Sequence, residues 1–489
     1  MAMPQSDLAF RSTEPETLRM MRVRWCVTYA RPGLVTPNAN LPASLASFGV
    51  PGLGNAYRFA IFNALSYQIV LGSPMVLYAK SLDASATVLG IIAGMMPLLV
   101  IFQIPAARHI ARVGYKRFVY AGWGTRVMFI FLMASVPLAS RFLTPPNRIA
   151  VMMFLLFGFN LSRGISSAAW LPWITALVPA PVRGRYLARD SACVNAASAI
   201  TLVLAGAVLG DNPSDWRFAA IFAFSALTGA VSLSFLKRIP DAPDPEAGTE
   251  NPEPVPWREI AAYRPFRKLL RMNVAWSLAY GGLGAFTVAY LKTSAGLAED
   301  LILYATAVSY VGGIGGLVLF GSRLDHHGSK PVLLVCLLGW IGVLAGWVLL
   351  AGNVVPVHLA LLLGLHGLMG LGYAVFSMAN TRLAMAVVPV MGRNHFFAFY
   401  SVLANLSLGV APVLWGLLID ALGDGVLRVG RFEINRFSLF FFLVLGVFGV
   451  TAALCRRLHE PRAAPVEDLL RDLLSQTPLR SWIRFWPRG

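Results

Sequence analysis

Twelve apolar stretches, each long enough to cross a bilayer as a helix, fill most of the chain between Tyr57 and Leu454. A span needs roughly 20 apolar residues, because the hydrocarbon core is about 30 Å thick and an α-helix rises about 1.5 Å per residue. Helices also close their own backbone hydrogen bonds, which lipid cannot do. The spans are predicted at residues 57–79, 87–106, 118–139, 149–177, 191–211, 217–236, 267–291, 301–320, 331–351, 357–386, 398–421 and 437–455. The chain is therefore read as an all-α polytopic membrane protein with 12 transmembrane helices.

Charge supports this reading and orients the protein. Only 13% of the 489 residues are charged, yet the formal net charge is +18. A surplus of that size invites a nucleic-acid reading. The Lys and Arg residues concentrate instead in segments that share one side of the membrane, the bias of a cytoplasmic face. The expectation is an integral protein of a bacterial inner (plasma) membrane, with both termini cytoplasmic and no nucleic-acid partner. The first 50 or so residues are polar and interrupted by Pro and Gly, so the first span is expected to serve as an uncleaved insertion signal. Cys26, Cys193, Cys336 and Cys455 form no CxxC pair and offer no external disulfide.

The spans divide six and six around a Pro- and acid-rich stretch, PDAPDPEAGTENPEPVP. The layout is a cytoplasmic N-terminal tail (1–56), an N-terminal six-helix bundle (57–236), a cytoplasmic central loop (237–266), a C-terminal six-helix bundle (267–456) and a cytoplasmic amphipathic tail (457–489). Trp257–Tyr263 is expected to form a short interfacial helix. The halves repeat each other. Gly114 and Lys116, between spans 2 and 3, recur as Gly328 and Lys330 between spans 8 and 9. Pro179, Arg183, Ala188, Ser191 and Asn195 recur as Pro389, Arg393, Ala398, Ser401 and Asn405. Matching polar loops at matching places in the helix order point to a duplication: two pseudo-symmetric bundles related by an axis along the membrane normal. That architecture places a substrate site between the halves near the midplane.

The loop between spans 8 and 9 carries Gly321, Asp325, Gly328 and Lys330 at the spacing G-x-x-x-D-[RK]-x-G-x-[RK]-[RK], with His326 at the first basic position and Pro331 at the last. The loop between spans 2 and 3 keeps Arg112, Gly114, Lys116 and Arg117 but has Ala107 and Ala111 where Gly and Asp belong. With the six-plus-six layout and long central loop, this pattern resembles the major facilitator superfamily over about residues 55–456. The resemblance implies the MFS fold, transport by alternating access and a loop motif that latches helix ends in one access state. It also implies that spans 1, 4, 7 and 10 line the cavity. In span 4, Asn160–Leu161–Ser162–Arg163–Gly164 departs from the R-x-x-Q-G of many exporters, so drug–proton antiport is not inferred.

Charges within spans are costly, roughly 2.5–3.5 kcal/mol each, and usually face a cavity or a partner. Arg163 is the leading substrate residue, with Asn160 beside it. Arg126 in span 3 is read as structural, snorkelling to headgroups. Further candidates on the presumed lining spans are Asn63, Tyr67 and Gln68 (span 1), Asn273, Trp276 and Tyr280 (span 7), and His366 and Tyr373 (span 10). Each has the competing reading of an interhelical hydrogen bond. No Asp or Glu lies mid-span; Asp190 and Asp420 fall at helix ends, so His366 is the only obvious candidate for a proton relay, and facilitated diffusion, anion exchange through Arg163 and an unusual coupling all stay open. The runs Gly281–Gly282–Leu283–Gly284 and Gly312–Gly313–Ile314–Gly315–Gly316 are read as sites of close helix contact or bending.

These features predict a secondary transporter for a small-molecule organic solute, monomeric in the lipid bilayer, not an enzyme, with no cofactor or metal. The alternative is a non-transporting membrane assembly or sensor protein on the same scaffold, handling a lipid or pigment. Leu469, Leu470, Leu473 and Leu474 at helical spacing, followed by Trp482, Ile483, Phe485 and Trp486, suggest a tail that lies on an anionic membrane surface, with partner docking as the rival.

Overall fold

The computed structural model describes residues 52–178, 183–242, 262–388, 393–458, 460 and 463–475. The N-terminal tail to residue 51, the acidic core of the central loop with most of Trp257–Tyr263, and the Trp482–Trp486 cluster lie outside these residues. So do Pro179 and Pro389 of the repeat and the side chains of Arg183, Arg393, Ala188, Ala398 and Asp325.

Among the described residues, twelve helices are long and apolar enough to cross a membrane: Gly54–Ser81, Ala86–Ala107, Tyr115–Arg141, Pro145–Ser166, Arg189–Leu209, Asp215–Arg238, Arg264–Thr293, Glu299–Gly321, Ser329–Ala351, Leu359–Val387, Phe399–Leu422 and Arg436–Arg456. They are spans 1 to 12 below. Each expected span appears. The only strands among the described residues are a small hairpin, Leu427–Val429 with Phe432–Ile434, between spans 11 and 12. The Asn55 amide of span 1 hydrogen-bonds to the Arg238 carbonyl of span 6 at 3.4 Å, so both ends of the first bundle meet at one face. That face, which also carries the loops between spans 2 and 3 and spans 8 and 9, is called the loop-motif face.

The duplication is legible in geometry. Gly114 and Gly328 each end one helix and start the next with positive φ, +83° and +89°. A residue with a Cβ adopts that conformation only with strain, so Gly is required at both turns. In span 5 the Asn195 amide donates to the Ser191 carbonyl at 2.8 Å; in span 11 the Asn405 amide donates to the Ser401 carbonyl at 2.8 Å. Spans 1 and 7 are broken at corresponding places. Span 1 runs Gly54–Leu71, then Ser73–Ser81 beyond an extended Gly72 and with Pro74 at the restart. Span 7 runs Arg264–Tyr280, then Leu283–Thr293 beyond Gly282, whose φ is +81°.

The halves meet along small residues, as helix packing in lipid requires. Gly90, Gly94 and Gly416 bring spans 2 and 11 into backbone contact, where any Cβ would strike the facing chain. Gly206 lies against the Tyr304 ring, joining spans 5 and 8. The long Gly run acts similarly within the second half, with Gly312 packed on the Gly367 carbonyl of span 10.

At the face opposite the loop motifs, carboxylates tie the halves together. Asp420, ending span 11, accepts hydrogen bonds from the Ala86 N–H (2.9 Å), the Thr87 N–H (2.7 Å) and the Thr87 hydroxyl (2.6 Å). It thereby caps span 2, where unpaired amides and the positive end of the helix dipole favour an anion. Glu299, starting span 8, accepts from the Asn212 N–H beyond span 5 at 3.3 Å and pairs with Lys292 at 2.8 Å. The two junctions, spans 2/11 and 8/5, are related by the internal repeat.

The tail differs from expectation. Val466–Ser475 is a helix, but Leu469 is fully buried in the protein, and Asp472 pairs with Arg323 at 2.8 Å. Glu460 accepts from the Ser329 and Lys330 N–H groups at 3.0 and 2.7 Å, capping span 9. The described part of the tail therefore docks on its own bundle. Arg323 and the helix-start amides of Ser329 and Lys330 supply the partners that the tail's carboxylates take up.

Candidate functional site

A cavity of about 950 Å³ lies between the halves. Its wall runs from Ser73 and Thr287, on the segments beyond the breaks in spans 1 and 7, to Leu187, Gly321 and Thr381 near the loop-motif face. On this wall, the Tyr310 hydroxyl of span 8 donates to Gln68 Oε1 of span 1 at 2.9 Å, and the Ser73 and Thr306 hydroxyls lie 3.4 Å apart, so hydrogen bonds between the halves cross the end nearer the carboxylate-tied face. The cavity is thus roofed towards the carboxylate-tied face and extends towards the other.

The broken helices border this space directly. Gly72, Ser73, Gly281, Gly282 and Gly284 are all on its wall. A break frees backbone groups that a continuous helix would consume, so such groups persist in a membrane only where they line a cavity or are buried in protein.

Four of the ten predicted substrate residues line the cavity: Gln68, Tyr280, His366 and Tyr373. Tyr280 stacks on Tyr373 (4.9 Å) and on Trp276 (5.3 Å), and Trp276 in turn stacks on Phe376 at 3.4 Å. Trp276 backs the aromatic wall without lining the cavity itself. His366 Nδ1 lies 2.9 Å from the Leu362 carbonyl. A carbonyl only accepts, so Nδ1 carries a proton and Nε2 remains the acceptor of the neutral ring.

The other five sit behind the wall. Asn273 joins spans 7, 10 and 11: its amide donates to Asn380 (3.2 Å), while the Asn380 amide (2.7 Å) and the Tyr400 hydroxyl (2.9 Å) donate to its oxygen. Asn63 accepts from Trp123 Nε1 at 3.2 Å, joining spans 1 and 3. Asn160 donates to the Leu156 carbonyl of its own helix at 3.0 Å. Tyr67 and Arg163 are partly buried in the first half, within electrostatic reach of each other. Arg126 does not snorkel. It is 4% exposed, with its guanidinium over the rings of Trp123 (4.7 Å) and Phe159 (4.9 Å). About 16 Å of helix separates it from Tyr115, more than its side chain can span to reach the headgroups.

Sequence reasoning missed Ser73, Asn195, Thr306, Ser309 and Tyr310, all on the wall. Two signals were available: Asn195 belongs to the internal repeat, and Gly72–Ser73–Pro74 is the span 1 counterpart of the glycine break in span 7. The wall carries hydroxyls, amides, phenols and an imidazole but no Asp, Glu, Lys or Arg among the described residues. Of the loop-motif residues, Arg112 and Arg117 are exposed, while Lys116, Gly321 and Lys330 are partly buried. No cluster that could hold a metal ion occurs among the described residues.

Comparison with known proteins agrees with this architecture. The chain is similar in fold to the nucleoside transporter NupG, with a TM-score of 0.61, 11% identity, and coverage of 84% of this chain and 99% of the other. A D-xylose–proton symporter gives a TM-score of 0.65 at 12% identity, covering 83% and 98%. The inward-open xylose transporter XylE from E. coli gives 0.62 at 14% identity, covering 85% and 98%. Curated protein sequences produced no match. The sequence model of the Major Facilitator Superfamily matches residues 59–298 and 278–488, one copy for each half. The chain belongs to the Major Facilitator Superfamily.

Proposed function

We propose that this protein is a secondary transporter that moves a small organic solute by alternating access, with the present structure facing the cytoplasm. The observation that carries the reading is the central cavity, roofed by cross-half hydrogen bonds at one face and extending towards the other. The concentration of basic residues at the loop-motif face supports assigning that face to the cytoplasm of a bacterial inner membrane, with both termini there and the protein monomeric. Gln68, Tyr280, His366 and Tyr373 contact the solute from the wall, and Tyr67, Asn160 and Arg163 act from the first half. Asn63, Asn273 and Trp276 hold the lining spans in place. Rocking of one half against the other breaks the Asp420 and Glu299 ties and opens the opposite face.

Proteoliposomes offered a defined mixture of amino acids, nucleosides, monosaccharides and organic acids test this reading. Saturable, protein-dependent accumulation of a component is expected, measured by mass spectrometry of the lumen. A Thr87→Cys/Asp420→Cys disulfide, joining the halves at the roofed face, is expected to abolish it. Accumulation of nothing in the mixture, or accumulation unaffected by the cross-link, rejects alternating access about this cavity.

A further inference from the structure

The first half holds two guanidiniums, Arg126 buried and Arg163 partly buried, that no carboxylate among the described residues neutralises. Among the described residues, neither Arg126 nor Arg163 donates a side-chain hydrogen bond or joins an ion pair. Arg126 Nε is buried without a partner. The two charges are within electrostatic reach of one another and therefore repel. The neighbouring spans account for their closeness. The Ser162 hydroxyl of span 4 donates to the Gly122 carbonyl of span 3 at 2.9 Å, and Gly122 has no side chain to hold the helices apart. Arg163 follows Ser162, and Arg126 lies one turn beyond Gly122.

The groups around them are also incomplete. Asn160 is 1% exposed and leaves Oδ1 unpartnered. Asp190 Oδ1 is likewise unpartnered, and this carboxylate pairs with neither arginine. Tyr67 stands among them, within electrostatic reach of Arg126, Arg163 and Asp190. Buried polar groups are almost always hydrogen-bonded, so several orphans around one phenol mark a place that something else completes. The charge balance there is two guanidiniums against one carboxylate. The missing component therefore carries negative charge. These residues also stand next to the cavity: Tyr67 adjoins Gln68 in sequence and is within electrostatic reach of Tyr310, and both Gln68 and Tyr310 line the cavity.

We propose that Arg126 and Arg163, with Tyr67 between them and the cavity, bind the acidic group of the transported solute, a carboxylate or phosphate oxyanion, while its body lies against the uncharged, aromatic wall of the second half. The assignment rests on the transport reading above and narrows it to organic anions. Planar guanidiniums suit such oxyanions, and a site shielded from water strengthens the pairing. The uncharged cavity wall then selects for the body of the solute, and the two guanidiniums for its charge.

The test uses the full chain in phosphatidylcholine nanodiscs, with benzoate and phenyl phosphate as anionic probes and benzyl alcohol as the neutral analogue, at fixed ionic strength. A ligand that binds only the folded form raises Tm by mass action. Benzoate or phenyl phosphate is expected to raise Tm saturably and benzyl alcohol far less. Arg163→Gln is expected to weaken the anionic probe at least tenfold, with Arg163→Lys intermediate. Arg126 is sandwiched in the core, so Tyr67→Phe serves as the second variant and is expected to weaken the same probe. Equal response to neutral and anionic probes, no response to any, or an unchanged response in Arg163→Gln overturns the assignment. Stabilisation that appears only when phosphatidylglycerol replaces phosphatidylcholine, and that neither anionic probe competes away, gives the guanidiniums to a lipid headgroup and also overturns it. Each of these results leaves the transport reading standing if proteoliposome accumulation persists; loss of that accumulation is a separate failure.

Discussion

Asn273 shows how a residue's chemistry can be read correctly and its role misplaced. An amide in a lining span suits a solute, yet this one is saturated by Asn380 and Tyr400. Asn273→Ala is expected to strand both partners in a buried setting, at a cost of about 1–3 kcal/mol, whereas Tyr400→Phe removes one hydroxyl, which donates to Asn273 and accepts from Asn380, and leaves the two amides bonded to each other. Thermal unfolding in detergent checks this: Asn273→Ala should lower Tm by more than Tyr400→Phe does. The reverse order contradicts the shared hydrogen-bond triangle. Gly282 is constrained differently. Its φ of +81° disfavours a side chain, and a Cβ there would meet Phe286 at 2.8 Å and Pro412 at 2.9 Å. Gly282→Ala is therefore expected to lower Tm by several degrees, and a Tm equal to wild type would show that the break in span 7 does not depend on glycine.

At the scale of elements, the tail helix and the broken spans are the informative cases. Val466–Ser475 has the apolar spacing of a surface-lying helix, but its carboxylates decide its position. Asp472 meets Arg323, which is only 3% exposed, and Glu460 upstream caps span 9. Asp472→Ala removes a carboxylate partner of a buried guanidinium, at an expected cost of about 1–3 kcal/mol to docking. Limited proteolysis should then cut after residue 460 faster than in the wild type; equal rates would mean that apolar contacts through Leu469 suffice. Breaks in spans 1 and 7 follow the same logic of backbone satisfaction. A helix stops in lipid only where protein or a cavity receives its freed groups, so paired breaks in paired halves identify the place where the halves face each other.

For the whole molecule, the carboxylate ties at one face set the balance between access states. Asp420 makes three hydrogen bonds to the first turn of span 2, and capping interactions of this kind contribute about 0.5–2 kcal/mol. If only the present state contains the tie, Asp420→Ala should shift the ratio of states by roughly two- to thirty-fold towards opening at that face, since about 1.4 kcal/mol is tenfold. Spin labels placed across that face, with distances read by pulsed electron resonance, measure the shift. An unchanged distance distribution would show that the glycine-mediated contacts of spans 2 and 11 alone hold the halves closed.

Hydropathy along the chain determined the spans, their number and their six-plus-six grouping, because the need to cross a bilayer acts on each segment separately. The repeat was legible too: Gly114 with Gly328 and Asn195 with Asn405 adopt matching local geometry because their constraints lie within a few residues of chain. Only the tertiary structure decided which side of each span faces the cavity. Lipid tails and protein interior are about equally apolar, so a transmembrane helix lacks the polar stripe that orients a helix in water. That is why Tyr310 and Thr306 went unnoticed, why Asn273 and Trp276 proved to stand behind the wall, and why Arg126 turned inward to aromatic rings rather than outward to headgroups. The closed face was likewise a tertiary outcome, since Asp420 finds the amides of Ala86 and Thr87 across more than 330 residues of chain.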